Sequence, residues 1–205
     1  MTDEYEQEDE NAIKTAGAVS SKCESGDKSC AFKSHFLFFT FIIRIGKADS
    51  NGKYNYECYS SGDWTSNSFT GGEGYPDAGM DYILQAIPKS LTLQKDKLSV
   101  SYTHNHKAVN GTDYSRCDGG SHYVKYEVKD DPLGLSQMDS CMLVTTCKGK
   151  PKNGRTINSY YIHTWKSLSI SVSLSANTKK EVGLTITPSK KNKSKQVWSY
   201  VTFDF

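Results

Sequence analysis

No stretch of this chain is apolar for long enough to cross a membrane as a helix. The longest apolar run, Phe36 to Ile45, contains Arg44, and a spanning helix needs about 20 such residues. No basic segment leads into an apolar core at the start, which reads Met1-Thr2-Asp3-Glu4 where a secretory signal would be positively charged. CxxC pairs and paired Cys/His spacings are also missing, so a zinc ribbon or finger is a poor reading. There is no Gly-x-Ser-x-Gly elbow. The glycines of Gly71-Gly72-Glu73-Gly74 follow no strand-to-helix pattern, which argues against a phosphate loop or a dinucleotide fold. Helix formers are sparse, and the apolar fraction is only 36%.

The chain is instead rich in aromatics, at 12% with 13 tyrosines and 8 phenylalanines. Together with Thr, Val and Ser they suit a pleated, half-solvated surface. The clearest signal is Ser167–Ser175, which alternates apolar and polar without a fault. Successive residues of a strand lie on opposite faces, so one face is aliphatic and the other all serine. After the turn-like Asn177-Thr178-Lys179-Lys180, the alternation resumes at Val182, Leu184 and Ile186, which predicts a β-hairpin.

Further strands are predicted over 35–45, 54–59, 81–87, 91–93, 98–103, 122–128, 141–147, 159–165 and 197–205. The first is expected to be a central strand buried on both faces, and Asn51-Gly52 to turn the chain after it. About ten strands with turn signals between them read as an antiparallel β-sandwich, with a barrel as the alternative. Residues 1–22 are expected to form a disordered acidic arm, and 23–205 a single sandwich domain. The Gly/Ser/Asp-rich stretch 60–80 reads as a functional loop or flap.

Six cysteines, Cys23, Cys30, Cys58, Cys117, Cys141 and Cys147, fit three disulfides in an oxidising compartment. Fifteen pairings are open. Cys141 and Cys147, at the ends of one predicted strand, would lie roughly 20 Å apart, too far to join each other. They share a face, and each should reach a neighbouring strand. On this reading the chain is a mature secreted form carrying an added start methionine. The sequons at Asn110 and Asn192, on two predicted loops, agree with secretion and glycosylation.

Charge is unevenly placed. Asp3, Glu4, Glu6, Glu8, Asp9 and Glu10 surround Tyr5 with only Lys14 to oppose them in the first twenty residues. That context resembles tyrosine-sulfation sites, and such an arm attracts basic partners. Residues 148–205 carry eleven bases against Glu181 and Asp204. One basic patch is Lys190, Lys191, Lys193 and Lys195; a second is Lys148, Lys150, Lys152 and Arg155. For a secreted protein these suit an anionic glycan or membrane surface rather than a specific nucleic acid.

His104-Asn105-His106 on an extended chain would put two imidazoles on one side, with His122 or His163 as a third metal ligand. Nothing in the spacing fixes that third ligand, so no metal and no cofactor is expected. His104, His122, Glu127 and Arg155 contain the residue types of a metal-free ribonuclease. No catalytic set converges by spacing. The leading expectation is therefore a secreted, non-enzymatic β-sandwich that binds another protein or a cell surface, of effector, immune-evasion or virulence type. Trp64, Phe69, Tyr75 and Tyr82 are its expected anchors. The alternatives are a membrane-active pore-forming or killer-type toxin, because an alternating hairpin is how a membrane-inserting β-ribbon is written, and a small secreted ribonuclease-like hydrolase.

Overall fold

The computed structural model describes residues 11–15, 18–20, 36–64, 80–104, 107–111, 114–119, 122–129, 136–164, 170–176, 182–188 and 194–203. They form β1 (Asn11–Thr15), β2 (Ala18–Ser20), β3 (Phe36–Ile45), β4 (Tyr54–Trp64), β5 (Met80–Ala86), β6 (Thr92–His104) and β7 (Lys107–Gly111). Then follow β8 (Tyr114–Gly119), β9 (Tyr123–Lys129), β10 (Ser136–Gly149), β11 (Arg155–Thr164), β12 (Ile170–Ala176), β13 (Val182–Pro188) and β14 (Ser194–Phe203). One six-stranded sheet runs β1-β3-β4-β10-β6-β7, a second runs β2-β14-β11-β5-β9-β8, and β12-β13 stand as a pair. All pairings are antiparallel. No helix and no closed barrel occurs among the described residues, so the barrel alternative falls.

Two expectations about the chain's course are corrected. The stretch assigned to a disordered arm contains β1 and β2, which lie along the outer edges of β3 and β14. Their sequences carry little apolar signal because an edge strand takes its order from a neighbour's hydrogen bonds. Strand β3 is buried on one face only. Phe38, Thr40 and Ile42 are buried, while Leu37 and Phe39 are 56% and 38% exposed. The outer face instead carries an aromatic row, with Phe39 stacked on Phe41 at 6.1 Å and Phe41 on Tyr59 at 4.5 Å.

The predicted turn between β3 and β4 is present. Asp49 Oδ1 accepts hydrogen bonds from the amides of Asn51 at 2.8 Å and Lys53 at 3.0 Å. Gly52 holds φ at +71°, a left-handed conformation that glycine adopts without penalty.

The buried apolar residues form three clusters: Tyr82, Leu84, Ala86 and Ile162 occupy the opposite face of β5 and β11, and two fill the interior between the six-stranded sheets. One gathers Phe38, Leu98 and Leu143 with Ile83, Val124 and Tyr161. The other gathers Ile42, Tyr56 and Leu91 with Ile157, Val201 and Phe203. Between them runs a buried polar belt, with Thr40, Ser60 and Thr145 from the first sheet and Gln85, Ser159 and Ser199 from the second.

Ser60 Oγ and Ser159 Oγ are 2.6 Å apart, Gln85 Nε2 donates to Ser60 Oγ at 2.7 Å, and Thr145 Oγ1 donates to Gln85 Oε1. These bonds cross from sheet to sheet. Such groups are tolerated inside only when hydrogen-bonded, yet Thr40 Oγ1 and Ser199 Oγ have no partner among the described residues. A fourth crossing joins Tyr126 Oη, the donor, to Asp96 Oδ2 at 2.7 Å. With burial, that bond raises the Tyr126 hydroxyl pKa.

Candidate functional site

The hairpin announced by the sequence is real, and it belongs to neither six-stranded sheet. Its ladder pairs Ile170 with Pro188, Val172 with Ile186, Leu174 with Leu184 and Ala176 with Val182. The intervening pairs are Ser171–Thr187, Ser173–Thr185 and Ser175–Gly183. Alternate positions share a face of the ladder. Every pair of one set is therefore aliphatic or proline, and every pair of the other is Ser, Thr or Gly. This register carries the segregation across both strands.

Strand β13 approaches both β11 and β5. Strands β11 and β14 pair from Arg155–Phe203 to Thr164–Ser194. Equal lengths of chain, 165–169 and 189–193, separate that last pair from Ile170–Pro188, so the register resumes without a slip.

The other candidate residues fare differently. Tyr82 is only 5% exposed. Its hydroxyl donates to Glu127 Oε1 at 3.1 Å, and Lys125 Nζ lies 5.8 Å from its ring centre. It is a core residue and is corrected from the set of surface anchors. Trp64 ends β4 opposite Phe36, with its side chain outside the described residues. Phe69, Tyr75, the arm residues Asp3, Glu4, Tyr5 and Glu6, the patch residues Lys190, Lys191 and Lys193, and Asn192 also lie outside the described residues. Lys195 falls within β14 opposite His163. Asn110 is corrected from loop to strand, since it pairs with Ser101 in β7.

His104 pairs with Lys107 where β6 meets β7, so the chain reverses direction between them; Asn105 and His106 lie outside the described residues. The proposed ribonuclease set is scattered. Glu127 sits opposite Tyr82, which pairs with Ile162, and Arg155 lies seven positions further along β11, roughly 23 Å away.

Cys58, Cys141 and Cys147 carry free, buried thiols. Cys23, Cys30 and the Cys117 side chain lie outside the described residues. Cys141 and Cys147 do share the inner face of β10. Cys141 lies opposite Gly62 and Val100, Cys147 opposite Tyr56 and Leu93. A hydrogen bond with Cys147, then burial, pushes the Cys58 thiol well up. Burial, then the charges of Asp81 and Asp63, raises Cys141.

A raised thiol pKa favours the folded state fully below the unfolded value of ~8.5, and that contribution fades as pH rises above it. Stability should therefore hold from neutral pH to about 8.5 and decline beyond, read by urea midpoint. The described thiols should resist alkylation until the chain is unfolded; rapid native labelling of Cys58 or Cys141 would contradict their burial.

No family model and no curated protein matches this chain. Among solved structures, the chain is similar to one described as a pore forming protein, with a TM-score of 0.44 and 8% identity over 93% of this chain and 92% of that one. It is also similar to the pilus backbone RrgB from Streptococcus pneumoniae, with a TM-score of 0.34 and 8% identity over 83% of this chain and 50% of that one. Likenesses at this level assign no activity.

Proposed function

We propose that this is a secreted β-sandwich protein that acts on membranes, with the β12–β13 hairpin as the inserting element. One observation carries the reading: a hairpin outside both sheets whose paired positions separate completely into an aliphatic set and a Ser/Thr/Gly set. A strand pair in a bilayer needs that division, with one face toward lipid and one toward a wet lumen. A crossing takes about 9–11 residues per strand. The seven described pairs, with the alternating Ser167-Leu168-Ser169 ahead of them, approach that length. Lys179 and Lys180 at the turn, and Lys190, Lys191 and Lys193 at the base, would suit anionic headgroups at either end.

The test is dye release from vesicles. Val172→Lys places a charge in the aliphatic set, costs about 2–4 kcal/mol at a bilayer midplane, and should lower release at least tenfold with the thermal midpoint kept. Ser173→Lys, in the polar set, should release dye nearly as the parent does. Equal activity of the two variants, or no release by the parent chain, would sink the reading.

Binding of another protein or a cell surface is the second reading. It rests on the outer face of β3 and β10, where Leu37, Phe39 and Met142 are exposed, rather than on the 60–82 loop. Release from protein-free vesicles separates the two. Secretion has a redox consequence: among the described cysteines, Cys58 and Cys147, already sharing a hydrogen bond, are the pair an oxidising compartment would join. Alkylation after unfolding would then find only Cys141 of these three.

A further inference from the structure

At the end of β11 away from the hairpin, a cavity of about 330 Å³ opens between the β3–β4 turn and the β10–β11 connection. Its wall carries Lys53, Lys148, Lys150, Lys152 and Arg155, with Ser90 and Thr92 beside them. Asp49 is the acid in contact, 2.8 Å from Lys148. Lys148 holds the Asp49 carboxyl down to about 2. Among the described residues, Lys53, Lys150 and Lys152 form no ion pair, so the rim is positive after Asp49 is counted.

Arg155 distinguishes this pocket from solvated lysines. It is 5% exposed and sits over the rings of Tyr56 at 5.8 Å and Phe203 at 5.9 Å. Nη2 donates to the Lys150 carbonyl. Nε and Nη1 are buried without a hydrogen-bond partner, which leaves three N–H donors unmet. No carboxylate pairs with this guanidinium among the described residues, and a buried, unpaired charge is unfavourable until an anion meets it.

Gly149 completes the wall. A Cβ there would lie 2.6 Å from Leu91 Cδ2 and 2.9 Å from the Ser90 carbonyl, so only glycine lets the strand pass this close. We propose that the pocket binds a tetrahedral oxyanion, a phosphate or sulfate group. Arg155 is its buried anchor, and the lysines, with the Ser90 and Thr92 hydroxyls, are its rim. Guanidinium N–H groups match such oxygens in geometry as well as charge.

Thr164, where β11 ends on the hairpin side, is nine strand positions or roughly 30 Å from Arg155. That distance favours an anion on a soluble molecule over a headgroup of the bilayer the hairpin would enter. The site stands apart from the membrane proposal and survives its failure.

The test is a titration of the full chain with sodium phosphate at constant ionic strength, followed by the amide resonances of Ser90 and Gly149. A parallel arm measures flotation with phosphatidylcholine vesicles containing phosphatidic acid. Arg155→Gln is the direct variant but risks the fold, so Lys150→Gln/Lys152→Gln, on exposed positions, is made beside it. Lys95→Gln/Lys97→Gln removes the same charge elsewhere.

Saturable phosphate binding, weakened at least tenfold (about 1.4 kcal/mol) by the pocket pair and not by the control pair, supports the site with a soluble source. The same dependence with vesicles alone supports it with a headgroup source. No saturable binding of either probe, or equal weakening by both lysine pairs, overturns it.

Discussion

Phe38→Ala should lower the unfolding free energy by about 3–5 kcal/mol, whereas Phe39→Ala, one residue on, should lose about 1 kcal/mol or less. Phe38 is fully buried, and its ring meets that of Tyr161 at 6.2 Å across the interior. Truncation leaves a phenyl-sized hole walled by both six-stranded sheets. Phe39 is on the opposite face, stacked on Phe41 and partly in water. Urea unfolding of the two variants gives the difference directly. Similar losses at both positions would mean that β3 is covered on both sides, as its largely apolar sequence suggests.

Gln85→Leu should destabilise by about 2–4 kcal/mol, although it replaces a polar side chain in the interior by an apolar one. The reason is what it abandons. Thr145 Oγ1 loses its acceptor and Ser60 Oγ loses a donor, and unmet buried polar groups cost about 1–3 kcal/mol each. Ser60 keeps Ser159, so the Thr145 hydroxyl is the larger loss. Adding Thr145→Val removes that orphan and should recover part of the deficit. Full stability of the Gln85→Leu single variant would show that the belt is not a working hydrogen-bond network.

These two positions also show where sequence patterns carry structure and where they do not. The alternation of β12 and β13 is visible because nothing interrupts period two. The belt is not visible, because Ser60, Thr145 and Ser159 read as solvent-facing residues until an opposing sheet supplies Gln85. Strand β6 reads as two pieces, Leu91–Leu93 and Leu98–Thr103, around Lys95-Asp96-Lys97. The structure joins them through a bulge where Cys147 pairs with Leu93 after Thr146 has paired with Lys95. Strands β7 and β8 were missed altogether, since their order comes from β6 and β9 rather than from their own side chains. Around the oxyanion pocket, the lysine cluster is evident in the sequence. The burial of Arg155 and the approach of Lys53 depend on how the β3–β4 turn folds over.

The short strands near the amino terminus bear on solubility. Without β1, the apolar strand β3 would offer an open row of amides and carbonyls to any other chain, and without β2, β14 would do the same. Exposed, flat, apolar edges recruit their like. A chain trimmed after residue 22 should therefore polymerise edge to edge as its concentration rises, even with its interior intact. The first twenty residues would then act as a guard against fibre growth.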